Sequence, residues 1–324
     1  MRNLTNLAPL VLLALILIMP AGCRPAAESS SKSETTSPQI LLIEASGLAV
    51  RGDGKVAVVA GDETSDLLWA VALDDFSKRW ELPFPAGTPP LNDLESLAPW
   101  GKDGLFAICS QSRTKSHVKV KPERVRLAFI ALSPDARRIL EVSVHEGFRD
   151  ELIAYLAAQP RDVIQNTATL YAESPNAGGL NVEGAAAWQE DLLIGLRSPA
   201  AVKGAIVVPL RQPDVLLAHP GAPADFGPVM IVPAAPGEGI RDMAADGDHI
   251  IVLLGAIGDI GSEPRLIRWD PKTGETAEIR SQGLMDIANP EGIAPDPKGG
   301  LLVVQDQKPP LHKKIIFRVA TSLP

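Results

Sequence analysis

Four acidic residues stand in one recurring setting, beside small and apolar neighbours. They are Glu95 in Leu94-Glu95-Ser96-Leu97-Ala98, Glu183 in Val182-Glu183-Gly184-Ala185-Ala186, Asp242 in Arg241-Asp242-Met243-Ala244 and Glu291 in Pro290-Glu291-Gly292-Ile293-Ala294. An oxygen-only set of this kind suits the hard cations Ca²⁺ and Mg²⁺ better than zinc, and one of its carboxylates can serve as a general base. Arg113, Arg197 and Arg241 recur close to the same segments, where guanidinium groups would contact an anionic ligand. Asp306 and the polar run Ser110-Gln111-Ser112 belong to the same candidate set. The histidines His117, His145, His219, His249 and His312 fall in no metal-ligand spacing. The sequence holds no Gly-x-Ser-x-Gly elbow, phosphate loop or dinucleotide fingerprint.

These side chains act together only if the chain folds so that they meet. Each acidic segment, and Ala45-Ser46-Gly47-Leu48-Ala49 ahead of them, leads through a turn into a β-rich run, at residues 56–59, 105–108, 192–195, 250–253 and 301–304. The turns contain Asp53-Gly54, Asp103-Gly104, Glu190-Asp191, Asp246-Gly247-Asp248 and Lys298-Gly299-Gly300, residue types that accept the backbone of tight hairpins. A further apolar run follows in each unit, at 68–73, 126–132, 205–210, 265–269 and 314–319. Repeats of three or four antiparallel strands predict an all-β chain, a β-propeller of five blades, with six as the alternative. Residues 39–43 form a strand without a partner, and pairing it with 314–319 would close the ring.

In that architecture the start of each innermost strand and the end of the next share one face. Ser46, Glu95, Glu183, Asp242 and Glu291 are therefore expected at one mouth of the channel, with Asp62, Arg113, Arg197, Asp259 and Asp306. Carboxylates ~8 Å apart repel by about 2 kcal/mol per pair at an effective dielectric near 20, so a divalent cation, the arginines or protonation must offset them. The competing reading is that each acid accepts hydrogen bonds from the neighbouring blade's backbone and only sets the ring's register.

Between Gly147 and Gln159, Phe148, Leu152, Ile153 and Leu156 recur at helical spacing and Pro160 ends the run. The pattern predicts one inserted amphipathic helix, either a lid over a blade edge or a partner-binding helix. Arg51-Gly52-Asp53 is accounted for by hairpin-turn chemistry. The basic run Arg113, Lys115, Lys119, Lys121, Arg124 and Arg126 reads as a solvated connection or as a contact to phosphate or lipid head groups.

The chain carries 31 Lys and Arg against 39 Asp and Glu, a formal net charge of −8 that argues against nucleic acid. Its start has the form of an export signal: Arg2, an apolar run over residues 7–19 too short to span a bilayer, and the small pair Ala21-Gly22. The segment Pro20-Ala21-Gly22-Cys23 resembles the lipobox of bacterial lipoproteins. That resemblance implies a signal peptide over residues 1–22, a lipidated Cys23 anchoring the protein to the membrane, and an exported, cell-envelope location. Arg24 in place of Asp then favours the outer membrane. Residues 23–38, rich in Ser, Thr, Glu and Pro, read as a flexible tether, and 39–324 as the propeller domain. Cys109, the second cysteine, sits in an apolar strand as a buried structural thiol.

The segments Asp93-Leu94-Glu95-Ser96-Leu97-Ala98, Ser110-Gln111-Ser112-Arg113, Asn181-Val182-Glu183-Gly184-Ala185, Leu196-Arg197-Ser198-Pro199, Gly239-Ile240-Arg241-Asp242-Met243 and Pro290-Glu291-Gly292-Ile293-Ala294 are similar to landmarks of a bacterial propeller family known only as a domain of unknown function. The last is also similar to motifs of phytase-like and lactonase-type propellers, which implies axial acids holding a divalent cation. Two functions follow as expectations. One is a ligand- or partner-binding propeller at the cell envelope, taking a small anionic ligand or an envelope partner. The other is a Ca²⁺- or Mg²⁺-dependent hydrolase of phosphoesters, esters or lactones, with Glu95, Glu183, Asp242 or Glu291 as metal ligands or general base.

Overall fold

The computed structural model describes residues 44–61, 65–114, 119–219, 221–258, 263–306 and 316–322. All lie in the compact unit Leu41–Pro324, and the other unit, Met1–Ile40, lies outside the described residues. So do the signal, Cys23, the tether, the strand at 39–43 expected to close the ring, Asp62 and Asp259.

Five antiparallel sheets make five blades, and the five-blade reading of the repeat is borne out. Blade 1 holds β1 (Ala45–Val50), β2 (Val56–Gly61), β3 (Leu67–Ala72) and β4 (Arg79–Pro83). Blade 2 holds β5 (Leu94–Trp100), β6 (Gly104–Cys109), β7 (Leu127–Leu132) and β8 (Ile139–His145). In blade 3, β9 (Asn181–Trp188), β10 (Asp191–Ser198) and β11 (Gly204–Arg211) are completed by two short pieces, β12 (Asp225–Phe226) and β13 (Met230–Pro233), both paired with β11. Blade 4 holds β14 (Glu238–Asp246), β15 (His249–Ala256), β16 (Arg265–Trp269) and β17 (Thr276–Glu278). Blade 5 is assembled out of order: β18 (Arg280–Gln282) pairs with the end of β21 (Ile316–Ser322), which pairs with β20 (Leu301–Gln305) and through it with β19 (Pro290–Pro295).

The first strands β1, β5, β9, β14 and β19 pack one on the next, and β1 against β19 closes the circle. Burial follows that arrangement. β2, between two blades, is buried along its whole length, which explains its continuous apolar run, whereas the outer strand β8 mixes exposed and buried residues. The turns at Gly54 (φ 65°) and Gly247 (φ 61°) take the left-handed backbone anticipated for them. In blade 2 the left-handed residue is Gly101 rather than Gly104, whose lack of a Cβ instead makes room for the Phe129 ring, 2.6 Å from where that atom would lie.

On the hairpin-turn side, arginines latch blade to blade. Arg318 donates to Asp296 Oδ2 (2.5 Å) and to the Leu73 carbonyl (2.6 Å), joining blade 5 to blade 1, while its guanidinium stacks 4.5 Å from the Phe76 ring centroid. Arg51 is 3% exposed, paired with Asp53 and Asp103 at 3.1 Å each and donating to the Pro134 carbonyl. The Arg51-Gly52-Asp53 tripeptide is thus an inter-blade staple as well as a turn.

The inserted helix is α1 (Phe148–Ala157), with Phe148, Leu152, Ile153 and Leu156 all fully buried against blades 2 and 3. Tyr155 Oη donates to the Gly227 carbonyl (2.5 Å), so α1 is wedged into the edge of the ring. Two further short helices, α2 (Thr167–Ala172) and α3 (Pro213–Ala218), were not anticipated. α2 buries Leu170 alone and shows no apolar stripe; Asn166 caps it by accepting from Ala168 N. No helix among the described residues is long and apolar enough to cross a membrane.

The basic connection out of blade 2 is not a solvated patch at its later end. Arg124 pairs with Asp93 and donates to Ser112 Oγ (3.0 Å), and Arg126 donates to Glu146 Oε1 (2.6 Å) and to the Pro90 carbonyl. Cys109 is buried at the end of β6, and burial pushes its thiol up to about 12. At pH 8 iodoacetamide is expected to leave Cys109 unmodified in the folded protein and to alkylate it in denaturant, read by peptide mass mapping; modification of the folded protein at a free-thiol rate would overturn this.

Candidate functional site

Every first strand breaks its ladder with the second strand at one shared level, and the β9–β10 ladder breaks again beyond it, where Arg197 of β10 is left over. Leu94 faces Cys109 and Ser96 faces Ile108; Val182 faces Leu196 and Gly184 faces Gly195; Ile240 faces Leu254 and Asp242 faces Leu253; Pro290 faces Gln305 and Gly292 faces Val304. The residues left over at the shared level are Glu95, Glu183, Arg241 and Glu291, and in blade 1 the same irregularity falls at Ser46-Gly47. A bulge frees its extra residue from the ladder and re-aims the side chain. Five such bulges at one level build the mouth of the channel.

This register corrects the set of four acids. Asp242 is not the blade 4 counterpart of Glu95, Glu183 and Glu291; Arg241 is. The substitution resolves the charge repulsion, because Arg241 meets two of the glutamates. Its Nε donates to Glu291 Oε2 (3.0 Å), its Nη2 to Glu291 Oε1, and Glu183 Oε2 lies 3.5 Å from the Nε. Arg197, near the end of β10, donates from Nη1 to Glu183 Oε1 (2.7 Å) and from Nε to the Ala256 carbonyl (3.0 Å). Asn181 Nδ2 donates to the same Glu183 oxygen (2.8 Å). Burial lowers the Arg241 pKa, opposed first by Glu183, while Glu95 and Asp306 are also near enough to act on it.

Asp242 points inward, fully buried, and joins the blades across the axis. Ser96 Oγ of blade 2 donates to Asp242 Oδ1 (2.6 Å), and the Ile293 N–H of blade 5 donates to Oδ2 (2.7 Å). Ser96 Oγ in turn accepts from Ala185 N of blade 3 (2.9 Å), and Ser46 Oγ donates to the Leu94 carbonyl, adding blade 1. Burial raises the Asp242 carboxyl well above the ordinary range, outweighing the bonds from Ser96, Ile293 and Met243. The competing sequence reading, an acid that hydrogen-bonds the next blade's backbone, describes Asp242.

The remaining candidates are placed as follows. Arg113 donates from Nε to the Tyr171 carbonyl (2.7 Å), beside Arg149, and so stands with the inserted helices rather than in the Glu183–Glu291 cluster. Asp306 follows β20, its N–H bonded to the Asn289 carbonyl. Among the described residues no group of three or more His, Cys, Asp or Glu could hold a metal ion. Glu183 and Glu291 face arginines and Asp242 turns inward, so Glu95, Glu183, Asp242 and Glu291 do not form one Ca²⁺ or Mg²⁺ ligand set.

Among the described residues, Gln111 Oε1, Asn181 Oδ1, Glu183 Oε2 and Asp306 Oδ1 are buried oxygens at these strand ends that accept no hydrogen bond. The Asn181 amide cannot be turned to relieve this, because its oxygen would then face Glu183 Oε1 where its NH₂ now donates. Sequence reasoning passed over Asn181 and Ser96, although each lies within two residues of a singled-out glutamate.

Residues 165–308 match the family "Protein of unknown function (DUF3616)". The resemblance to a family of unknown function is borne out. The DUF3616 match takes in Glu183, Arg197, Arg241, Asp242, Glu291 and Asp306, and leaves out Glu95 and Arg113. No curated protein matches the chain. Among solved structures, Myxococcus xanthus glutaminyl cyclase is similar at 12% identity over 87% of this chain and 92% of its own, with a TM-score of 0.46. The WD40 domain of Neurospora crassa Pan2 is similar at 11% identity over 83% and 75%, with a TM-score of 0.36. At these identities the likeness is one of fold alone.

Proposed function

We propose that this chain is a binding propeller displayed at the cell envelope on a lipidated Cys23, with its ligand site at the mouth formed by the five bulges. One observation carries the reading: four blades each lift a charged residue, Glu95, Glu183, Arg241 or Glu291, out of the ladder at the same level. Bulges sacrifice ladder hydrogen bonds, and repeating one around a ring is a device for presenting side chains rather than for stability. The Pro20-Ala21-Gly22-Cys23 segment and the polar run after it support the envelope location. The hydrolase alternative lacks comparable support, since Arg241 pairs with two of the acids assigned to its metal and Asp242 is taken up by Ser96 and Ile293.

Two measurements test the proposal on the full chain. In detergent phase partition the wild type is expected in the detergent phase and Cys23→Ala in the aqueous phase; a variant that stays with detergent overturns the lipid anchor. In a thermal-shift screen of small metabolites, hits are expected to be lost in Arg241→Gln and kept in Leu140→Ala, a change at an exposed side chain of β8. Hits indifferent to Arg241 overturn the mouth as the site.

A further inference from the structure

The arginines of the mouth are committed to carboxylates: Arg241 to both oxygens of Glu291, and Arg197 to Glu183 and the Ala256 carbonyl. Asn181 Oδ1 and Asp306 Oδ1 accept no hydrogen bond, and Glu183 Oε2 has only the 3.5 Å ion pair with Arg241 Nε. Asn181 and Glu183 are each 4% exposed, so water has little access to them. The two lie side by side, because the Asn181 amide nitrogen sits 2.8 Å from the Glu183 carboxylate. Asp306 belongs to the same neighbourhood, since it and Glu183 both act on the Arg241 guanidinium. Among the described residues the carboxylates of Glu95, Glu183 and Asp306 all act on Arg241, and Glu291 pairs with it directly.

From this the geometry points to an organic cation as the ligand of the mouth, a primary ammonium or guanidinium group whose N–H donors meet Asn181 Oδ1, Glu183 Oε2 and Asp306 Oδ1. The inference deepens the binding reading and rests on it. A small anion would find Arg197 and Arg241 already engaged by carboxylates. A group with several N–H donors and a positive charge supplies hydrogen bonds to Asn181 Oδ1 and Asp306 Oδ1 and a counter-charge to the carboxylates beside them. A bare metal ion is the poorer match, because no three of the acidic or imidazole side chains described here are gathered to ligate it.

Calorimetric titration of the full chain in detergent with agmatine, which carries one group of each kind, tests this. Saturable binding of one agmatine per chain is expected, weakened at least tenfold in Glu183→Gln and in Asp306→Asn. Glu183→Gln keeps the side chain's size, and Asp306 is half-buried at a strand end, so melting curves without ligand check that both variants fold. No agmatine binding, or binding unchanged in both folded variants, overturns the inference. Inorganic phosphate that binds and is lost in Arg241→Gln overturns the cation assignment while leaving the mouth as the binding site. Calcium chloride that binds and is lost in Glu183→Gln does the same in favour of a metal.

Discussion

Replacing Asp242 by Ala is expected to destabilise the protein by about 2–4 kcal/mol, measured by urea unfolding, because it strands the buried Ile293 N–H and Ser96 Oγ and opens a void where blades meet. Asp242→Asn should behave differently. Its NH₂ can donate to Ser96 Oγ, which a hydroxyl oxygen accepts, while its carbonyl oxygen still accepts from Ile293. The two variants also separate packing from charge. Burial holds the folded Asp242 carboxyl well above the ordinary carboxylate range, so the folded state keeps the proton more tightly than the unfolded chain. Stability from this group is fully present below the unfolded value and is lost as pH rises from there to the raised folded value. The slope is up to about 1.4 kcal/mol per pH unit within that window. Asp242→Asn should remove this slope and match or exceed wild-type stability at neutral pH. If the slope survives in Asp242→Asn, another group is responsible; if Asp242→Ala unfolds like wild type, the axial network contributes nothing.

The second large effect is expected at the closure of the ring. A Cβ on Gly292 would lie 2.5 Å from the Ser46 carbonyl oxygen, 2.6 Å from Val304 Cγ2 and 3.0 Å from Leu48 N. Two of those atoms are backbone of β1, so relief requires moving the strand that closes the circle against β19. Gly292→Ala should therefore cost about 3 kcal/mol, at the upper end for overpacking, and lower the melting temperature by roughly 6–12 °C. Gly101→Ala is the control for strain without a clash, since its φ is 64° but nothing lies within 4 Å of the added atom. It should cost only about 1 kcal/mol. Equal losses in the two variants would show that close packing at Gly292 is not the cause.

What could be read from the sequence divides along physical lines. Five blades were legible because each pairs an apolar run with a turn, and α1 because Phe148, Leu152, Ile153 and Leu156 keep a helical period that burial requires. α2 and β18 were not, since α2 buries one residue and Arg280–Gln282 is short and polar, held by its pairing with β21 rather than by any preference of its own. The site shows the same limit at finer scale. Glu95, Glu183 and Glu291 aligned correctly, but a bulge adds a residue that no alternation of apolar and polar positions reveals. With Arg241 and Asp242 both charged, the sequence could not say which faced the mouth. Only the ladder, Ile240 on Leu254 and Asp242 on Leu253, decides it. A sequence also counts arginines without showing that Arg241 of blade 4 meets Glu183 of blade 3 and Glu291 of blade 5.

The out-of-order assembly of blade 5 bears on how the molecule is made. A single residue, Ile279, separates β17 on the rim of one blade from β18 on the rim of the next, and β18 has no partner strand until Ile316–Ser322 has left the ribosome. A chain halted short of its terminus therefore carries a bare, unzipped rim that proteases and aggregation can seize. Ile316–Ser322 is thus what zips the rim strand Arg280–Gln282 into the fifth blade, and a copy lacking it is expected to be cut there sooner by protease.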